Sequence, residues 1–194
     1  FVPAIFDYLA EDGYFKTRER EISQLSQLIA QKENSGHRAT LEQHLAQQRE
    51  AAYSEVEKAK AEYSESRKRR LEIRSQGNIE PEIEQQLIRE SQHQKAEIAR
   101  LKKKASASIS QAEKTLQDWD SEIYRLKNEL QQQSDSLQRW RFSQMELQNY
   151  QGGSKSVLEV FHEYNGALPP SGSGECCAPK LLQYAFAHHL KPIS

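Results

Sequence analysis

Ser75-Gln76-Gly77-Asn78-Ile79-Glu80-Pro81-Glu82 separates two long polar stretches, and its reading decides the fold. Gly77 can take the left-handed position that ends one helix, and Asn78 can cap the next. Pro81 and the carboxylates of Glu80, Glu82 and Glu84 suit the opening of a helix, where backbone N–H groups carry partial positive charge. A reversal at this point predicts two helices lying side by side in opposite directions.

Downstream, a third helix is expected to run to about Tyr150. Its apolar seam is Ile98, Leu101, Ala105, Ile109, Ala112, Leu116, Trp119, Ile123, Leu126, Leu130, Gln133 and Leu137. The steps alternate between three and four residues, which is the heptad pattern of a left-handed coiled coil, with one extra four-residue step, a stutter, near Ala105. Upstream, a second helix from about Ala39 to Arg74 answers with Leu41, Leu45, Ala52, Val56, Ala59 and Tyr63. A first helix beginning near Thr17 carries Ile22, Leu25, Leu28 and Ile29 on one face and stops at Asn34-Ser35-Gly36. If Gly36 only kinks the chain, the molecule is a long antiparallel helical hairpin with arms of matched length. If Gly36 reverses the chain, it is a three-helix bundle.

The expected fold class is therefore all-α: an antiparallel coiled-coil arm over residues 17–150 with its tip near 75–79. An apolar docking segment, residues 1–16, precedes it. Residues 151–194 follow as short helices and a Pro/Gly loop packed at the base. Val157 to Tyr164 reads as one short amphipathic helix and Ala178 to His189 as another, joined through Pro169-Pro170-Ser171-Gly172-Ser173-Gly174.

Composition agrees with a thin helical protein. Only 36% of residues are hydrophobic while 28% are charged, and the mean hydropathy is -0.89, too polar for a thick core. A net charge of -1 excludes a globally basic nucleic-acid binder and leaves local patches to be judged by position. No run approaches the roughly 18 apolar residues of a membrane span. Cys176 and Cys177 are too close in sequence to favour bridging each other, so a reducing, cytoplasmic setting is expected. The start at Phe1 reads as part of a longer polypeptide.

Two runs of cations are the candidate binding residues. Arg67, Lys68, Arg69, Arg70 and Arg74 cluster near the tip, and Arg100, Lys102, Lys103 and Lys104 form a second cluster on the returning helix. Each can neutralise an RNA phosphate and release a counterion. Glu62, Glu65, Glu72 and Glu97 lie close enough in sequence to offset them, the pattern of an ordinary solvated coiled-coil face. Trp119 belongs to the seam, whereas Trp140, Phe142 and Tyr150 are expected to meet the C-terminal helices. Cys176 and Cys177 open a helix but cannot fill a tetrahedral metal site alone, so no metal and no cofactor is expected. No Ser/His/Asp arrangement or phosphate-cradling glycine loop is present.

The two ends are less generic. Phe1-Val2-Pro3-Ala4-Ile5-Phe6-Asp7-Tyr8-Leu9-Ala10-Glu11-Asp12 and Pro169-Pro170-Ser171-Gly172-Ser173-Gly174-Glu175-Cys176-Cys177-Ala178-Pro179-Lys180-Leu181-Leu182-Gln183-Tyr184-Ala185 resemble segments that bracket a coiled-coil region in long-form bacterial RluA-type RNA pseudouridine synthases. The resemblance implies an accessory region of an isomerase that converts uridine to pseudouridine in ribosomal RNA without a cofactor. It places the catalytic aspartate, within a His-Arg-Leu-Asp motif, in a later domain of the same polypeptide. Here His37-Arg38 is followed by Ala39-Thr40, and none of Asp7, Asp12, Asp118, Asp120 or Asp135 sits in that motif. The segment alone is thus expected to lack synthase activity, with ribosomal RNA and the catalytic domain as partners. A structural or protein-binding coiled coil without RNA contact is the alternative.

Overall fold

Gly77 does end a helix in the left-handed conformation, at φ 72°, but Asn78 adopts it too, at φ 54°, instead of capping the next helix. Asparagine tolerates this region because its short polar side chain can bond locally. The following helix opens at Pro81, with the Glu84 N–H donating to the Glu80 carbonyl at 3.1 Å. These details come from a computed structural model that describes residues 2–192. Phe1, at the head of the expected docking segment, and Ile193 and Ser194, at the end of the expected base, lie outside the described residues.

The elements are α1 (Tyr14–Asn34), α2 (His37–Ser75), α3 (Pro81–Gln144), β1 (Glu146–Gln148), β2 (Ser154–Ser156), α4 (Val157–Asn165) and α5 (Cys177–Ala187). Apart from one two-stranded ribbon the fold is all-α. The chain divides into two compact units, a hairpin unit of Lys32–Ile123 and a terminal unit of Phe1–Gln31 with Tyr124–Ser194.

In the hairpin unit, side chains reach across between α2 and α3 in reversed order. Arg38 meets Asp120 at 2.8 Å, Arg49 meets Glu113 at 2.7 Å, Ser66 accepts from Gln94 at 2.9 Å, and Arg74 meets Glu84 at 2.7 Å. As the number rises along α2 it falls along α3, so the helices are antiparallel. The α3 seam residues Ile98 to Ile123 are all buried or half-buried, as the heptad reading expects. On α2 the seam positions Leu41, Leu45, Gln48, Ala52, Val56, Ala59, Tyr63, Ser66, Arg70 and Ile73 are covered, with Glu57 half-buried beside Val56. Two four-residue steps follow each other at Gln48, Ala52 and Val56, and Gln48 accepts a hydrogen bond from Ser108, beside the stutter of α3. The irregularities of the two helices therefore lie level, which lets them stay in contact through the break in period.

Gly36, at φ 71°, kinks the chain without reversing it. Before the kink, the Lys32 ammonium lies 4.9 Å from the Trp119 ring centre and 3.0 Å from Glu122. After it, His37 packs edge-on to the same Trp119 at 4.7 Å. Both sides of Gly36 face one turn of α3, so the hairpin alternative holds for this unit and the three-helix bundle does not.

The terminal unit departs from the sequence reading at Met145. The third helix stops at Gln144 instead of running to about Tyr150, and the chain makes an antiparallel ribbon pairing Glu146 with Ser156 and Gln148 with Ser154. Asn149 sets the turn, its side-chain oxygen accepting from the Gln151 and Gly153 N–H groups, both at 2.9 Å. Ser156 then starts α4 through a reciprocal capping box with Glu159. Phe142, Met145 and Val157 form a small core covered by Ile5, Phe6, Tyr8, Leu147, Leu158 and Phe161. Ile5, Phe6 and Tyr8 of the N-terminal segment thus pack on this core.

The loop before α5 closes over that core. Gly174 has φ 82°, and a Cβ on it would lie 3.2 Å from Val157 and 3.3 Å from the Met145 sulfur. Gly174→Ala combines a left-handed backbone penalty of about 1–2 kcal/mol with crowding of that core. Its melting temperature is expected to fall by about 2–8 °C in a thermal scan, and an unchanged value would show that the loop does not pack as described.

Candidate nucleic-acid interface

The nine cations singled out from sequence do not share one environment. Arg70 is 2% exposed and lies in the α2 seam, its guanidinium donating to Gln94 at 2.9 Å, 3.5 Å from Glu90 and stacked 5.5 Å over the Tyr63 ring. Its Nη2 has no hydrogen-bond partner. Arg70 therefore has no surface with which to meet a phosphate, and its place among the candidates is corrected: the heptad step from Tyr63 through Ser66 carries it between the helices.

Five others are exposed and tied to carboxylates. Lys68 pairs with Glu65 at 3.0 Å, Arg69 with Glu90, Arg74 with both oxygens of Glu84, Arg100 with both oxygens of Glu97, and Lys104 with Glu55 at 3.7 Å. Hydrogen bonds from Arg74 and Arg100 hold Glu84 and Glu97 below the usual carboxylate range. Asp120 is held down in the same way by Arg38. Exposed pairs of this kind contribute little to stability, yet each carboxylate cancels much of the field that a phosphate would feel. Arg67, Lys102 and Lys103 remain: they are exposed, and among the described residues no carboxylate binds them.

The aromatic candidates are mostly packed. Trp119 sits in the seam between Lys32 and His37, as expected. Trp140 packs on Phe6 and Tyr14 of the N-terminal part at 5.9 and 4.5 Å, instead of on the C-terminal helices. Phe142 is fully buried beside Val157 of α4, and Tyr150, 80% exposed next to the ribbon turn, lines an open cleft with Leu182, Phe186 and Ala187 of α5. Sequence inspection passed over Tyr53, which is 71% exposed on α2.

Near the base, the two motif segments meet. The Tyr8 hydroxyl donates to Glu175, and Arg141 lies 3.5 Å from Glu175 with its guanidinium 5.4 Å over the Tyr8 ring. The hydrogen bond to Glu175, with burial, pushes Tyr8 above its usual range. Gln183 of α5 bonds both main-chain groups of Gln148, accepting from its N–H at 2.6 Å and donating to its carbonyl at 3.0 Å. Cys176 and Cys177 are exposed free thiols, and among the described residues no three His, Cys, Asp or Glu side chains gather as metal ligands. No helix among the described residues is long and apolar enough to cross a membrane.

Comparison with family models, with curated proteins and with solved structures returns no match for this chain.

The buried Arg70 is a test of the seam. Desolvating a buried guanidinium that meets Glu90 only at 3.5 Å and leaves Nη2 without a partner costs about as much as its contacts return, so Arg70→Met should leave stability unchanged or raise it by about 1–4 kcal/mol. Gln94→Ala, which removes the acceptor and leaves Arg70 in place, should cost about 1–3 kcal/mol. Urea unfolding of the two variants checks the sign: an Arg70→Met protein much weaker than the Gln94→Ala protein would contradict this placement.

Proposed function

We propose that this chain is a noncatalytic accessory region of an RluA-type pseudouridine synthase, acting in the cytoplasm to help its parent enzyme engage ribosomal RNA or a ribosome-assembly intermediate. The observation that carries the reading is the set of exposed cations Arg67, Lys102 and Lys103, which no carboxylate binds among the described residues, on an antiparallel pair of helices. Charge presented this way binds phosphates without reading base sequence and leaves sequence choice and chemistry to a separate domain of the same polypeptide. The meeting of the two resembling segments at Tyr8, Arg141 and Glu175 supports the family reading, because it gives both motifs one structural task. Ion pairing of Lys68, Arg69, Arg74, Arg100 and Lys104 favours a second reading, a protein-binding or purely structural coiled coil.

A gel-shift titration of the chain against structured ribosomal RNA fragments, at about 50 and about 200 mM salt, separates the two. The proposal expects binding that weakens steeply with salt. A chain that shifts none of the fragments at the lower salt is the structural coiled coil of the second reading.

A further inference from the structure

The observed ion pairs define two flanks of the hairpin unit. Arg38–Asp120, Arg49–Glu113 and Arg74–Glu84 close one flank, and the residues Arg49, Arg74, Glu113 and Asp120 each directly follow a seam position. Arg69–Glu90 and Lys104–Glu55 close the other, where the residue directly precedes a seam position. Helical geometry assigns the remaining charges by the same rule.

Between Arg49–Glu113 and Arg74–Glu84, the first flank holds Lys60, Arg67, Lys95 and Lys102, which follow Ala59, Ser66, Gln94 and Leu101. Its carboxylate is Glu57, already bound to Lys60 at 2.6 Å. The second flank carries six carboxylates, Glu55, Glu62, Glu65, Glu72, Glu90 and Glu97, against four cations, Lys58, Arg69, Arg100 and Lys104, and is acidic on balance. A protein of net charge -1 thus has its charge separated across one hairpin. The register fixed by Ser66–Gln94 and Gln48–Ser108 places Lys102, Lys60, Lys95 and Arg67 in succession over about 15–20 Å, alternating between the helices.

Lys95 is exposed on this flank. Its neighbour is the Tyr63 hydroxyl, which a hydrogen bond with Ser91 lowers from its usual range against burial, with Lys95 adding to the shift. Tyr53 directly follows the seam residue Ala52, so its exposed ring stands on the same flank at the end of the row. Cations tracking a backbone beside an open aromatic ring are the parts that hold unpaired nucleotides.

We infer that this flank binds a single-stranded RNA segment, with Lys60, Arg67, Lys95 and Lys102 on successive phosphates and Tyr53 stacking a base. The inference rests on the RNA-engaging reading above and replaces its linear clusters with a surface: Lys60 and Lys95 lie in no run of cations, and Lys103 faces away from the row.

The test is fluorescence anisotropy of labelled oligouridylate with the whole chain. It compares a first-flank variant (Lys60→Gln, Arg67→Gln, Lys95→Gln, Lys102→Gln) with a second-flank variant (Lys58→Gln, Arg69→Gln, Arg100→Gln, Lys104→Gln), both checked for unchanged helical circular dichroism. The first-flank variant is expected to lose about tenfold or more in affinity at low salt. Its slope of log affinity against log salt should fall by about 0.7 per cation removed. The second-flank variant should bind as the parent does, and Tyr53→Ala should lose about fivefold or more on oligouridylate and little on duplex RNA. Equal losses in the two flank variants, or displacement of the oligonucleotide by polyglutamate at matched charge, overturn the inference while leaving RNA engagement standing. Absence of any binding by the parent chain, to oligouridylate and to the ribosomal fragments alike, removes the RNA-engaging reading itself.

Discussion

The register between α2 and α3 is the constraint on which the rest of the hairpin depends. It is set less by apolar bulk than by a polar layer in which Arg70 lies against Gln94, Gln94 donates to Ser66, and Arg70 stacks on Tyr63. A shift of α2 by one heptad would bury a different side chain opposite Gln94 and leave Arg70 without its acceptor. A single polar seam residue that fixes register while costing stability is a recognised device in coiled coils. Small seam residues such as Ala52, Ala59, Ala105 and Ala112 contribute little burial, so in this unit specificity rests on polar contacts to an unusual degree.

The distribution of charge follows from the same register. Charge that looks balanced along the chain is separated across it, because residues after the seam and residues before it fall on opposite sides. Where Arg49 and Arg74 meet carboxylates from α3 the first flank is closed. Between those two ties Glu57 is the one carboxylate on that side, set against Lys60, Arg67, Lys95 and Lys102, and the hairpin presents a short positive row. The terminal unit plays a different part: its small core around Phe142, Met145 and Val157 gathers the N-terminal segment, the ribbon and the Gly-Ser-Gly loop, while Leu181 of α5 and Leu190 beyond its end stay largely exposed.

The heptad seam of α3, the turn at Gly77 and the helix break at Gly36, though not its direction, were legible in the sequence because each rests on local physics: a repeat, a left-handed backbone and a run of helix-breaking residues. The extent of α3 was not. Helical periodicity continues past Trp140, and the features that stop it are the burial of Met145 and the Asn149 turn, which depend on partners distant in sequence. Arg70 was misjudged for a related reason. A run of four cations reads as one cluster, yet a helix turns successive residues by about 100° and sends them to different environments. Lys60 and Lys95 were passed over by the same logic in reverse, since only the pairing of two helices brings them into one row.

The register claim is tested most directly by measuring the distance between spin labels at Ser64→Cys and Ala96→Cys, in a protein whose native thiols are removed by Cys176→Ser and Cys177→Ser. Both sites are exposed and level in the antiparallel pairing. The account predicts one narrow, short distance, that of neighbouring helices about 8–10 Å apart between axes plus the label arms, unchanged when labelled chain is diluted with unlabelled chain. A distance that is long or broad, or a dipolar signal that disappears on dilution, would contradict it.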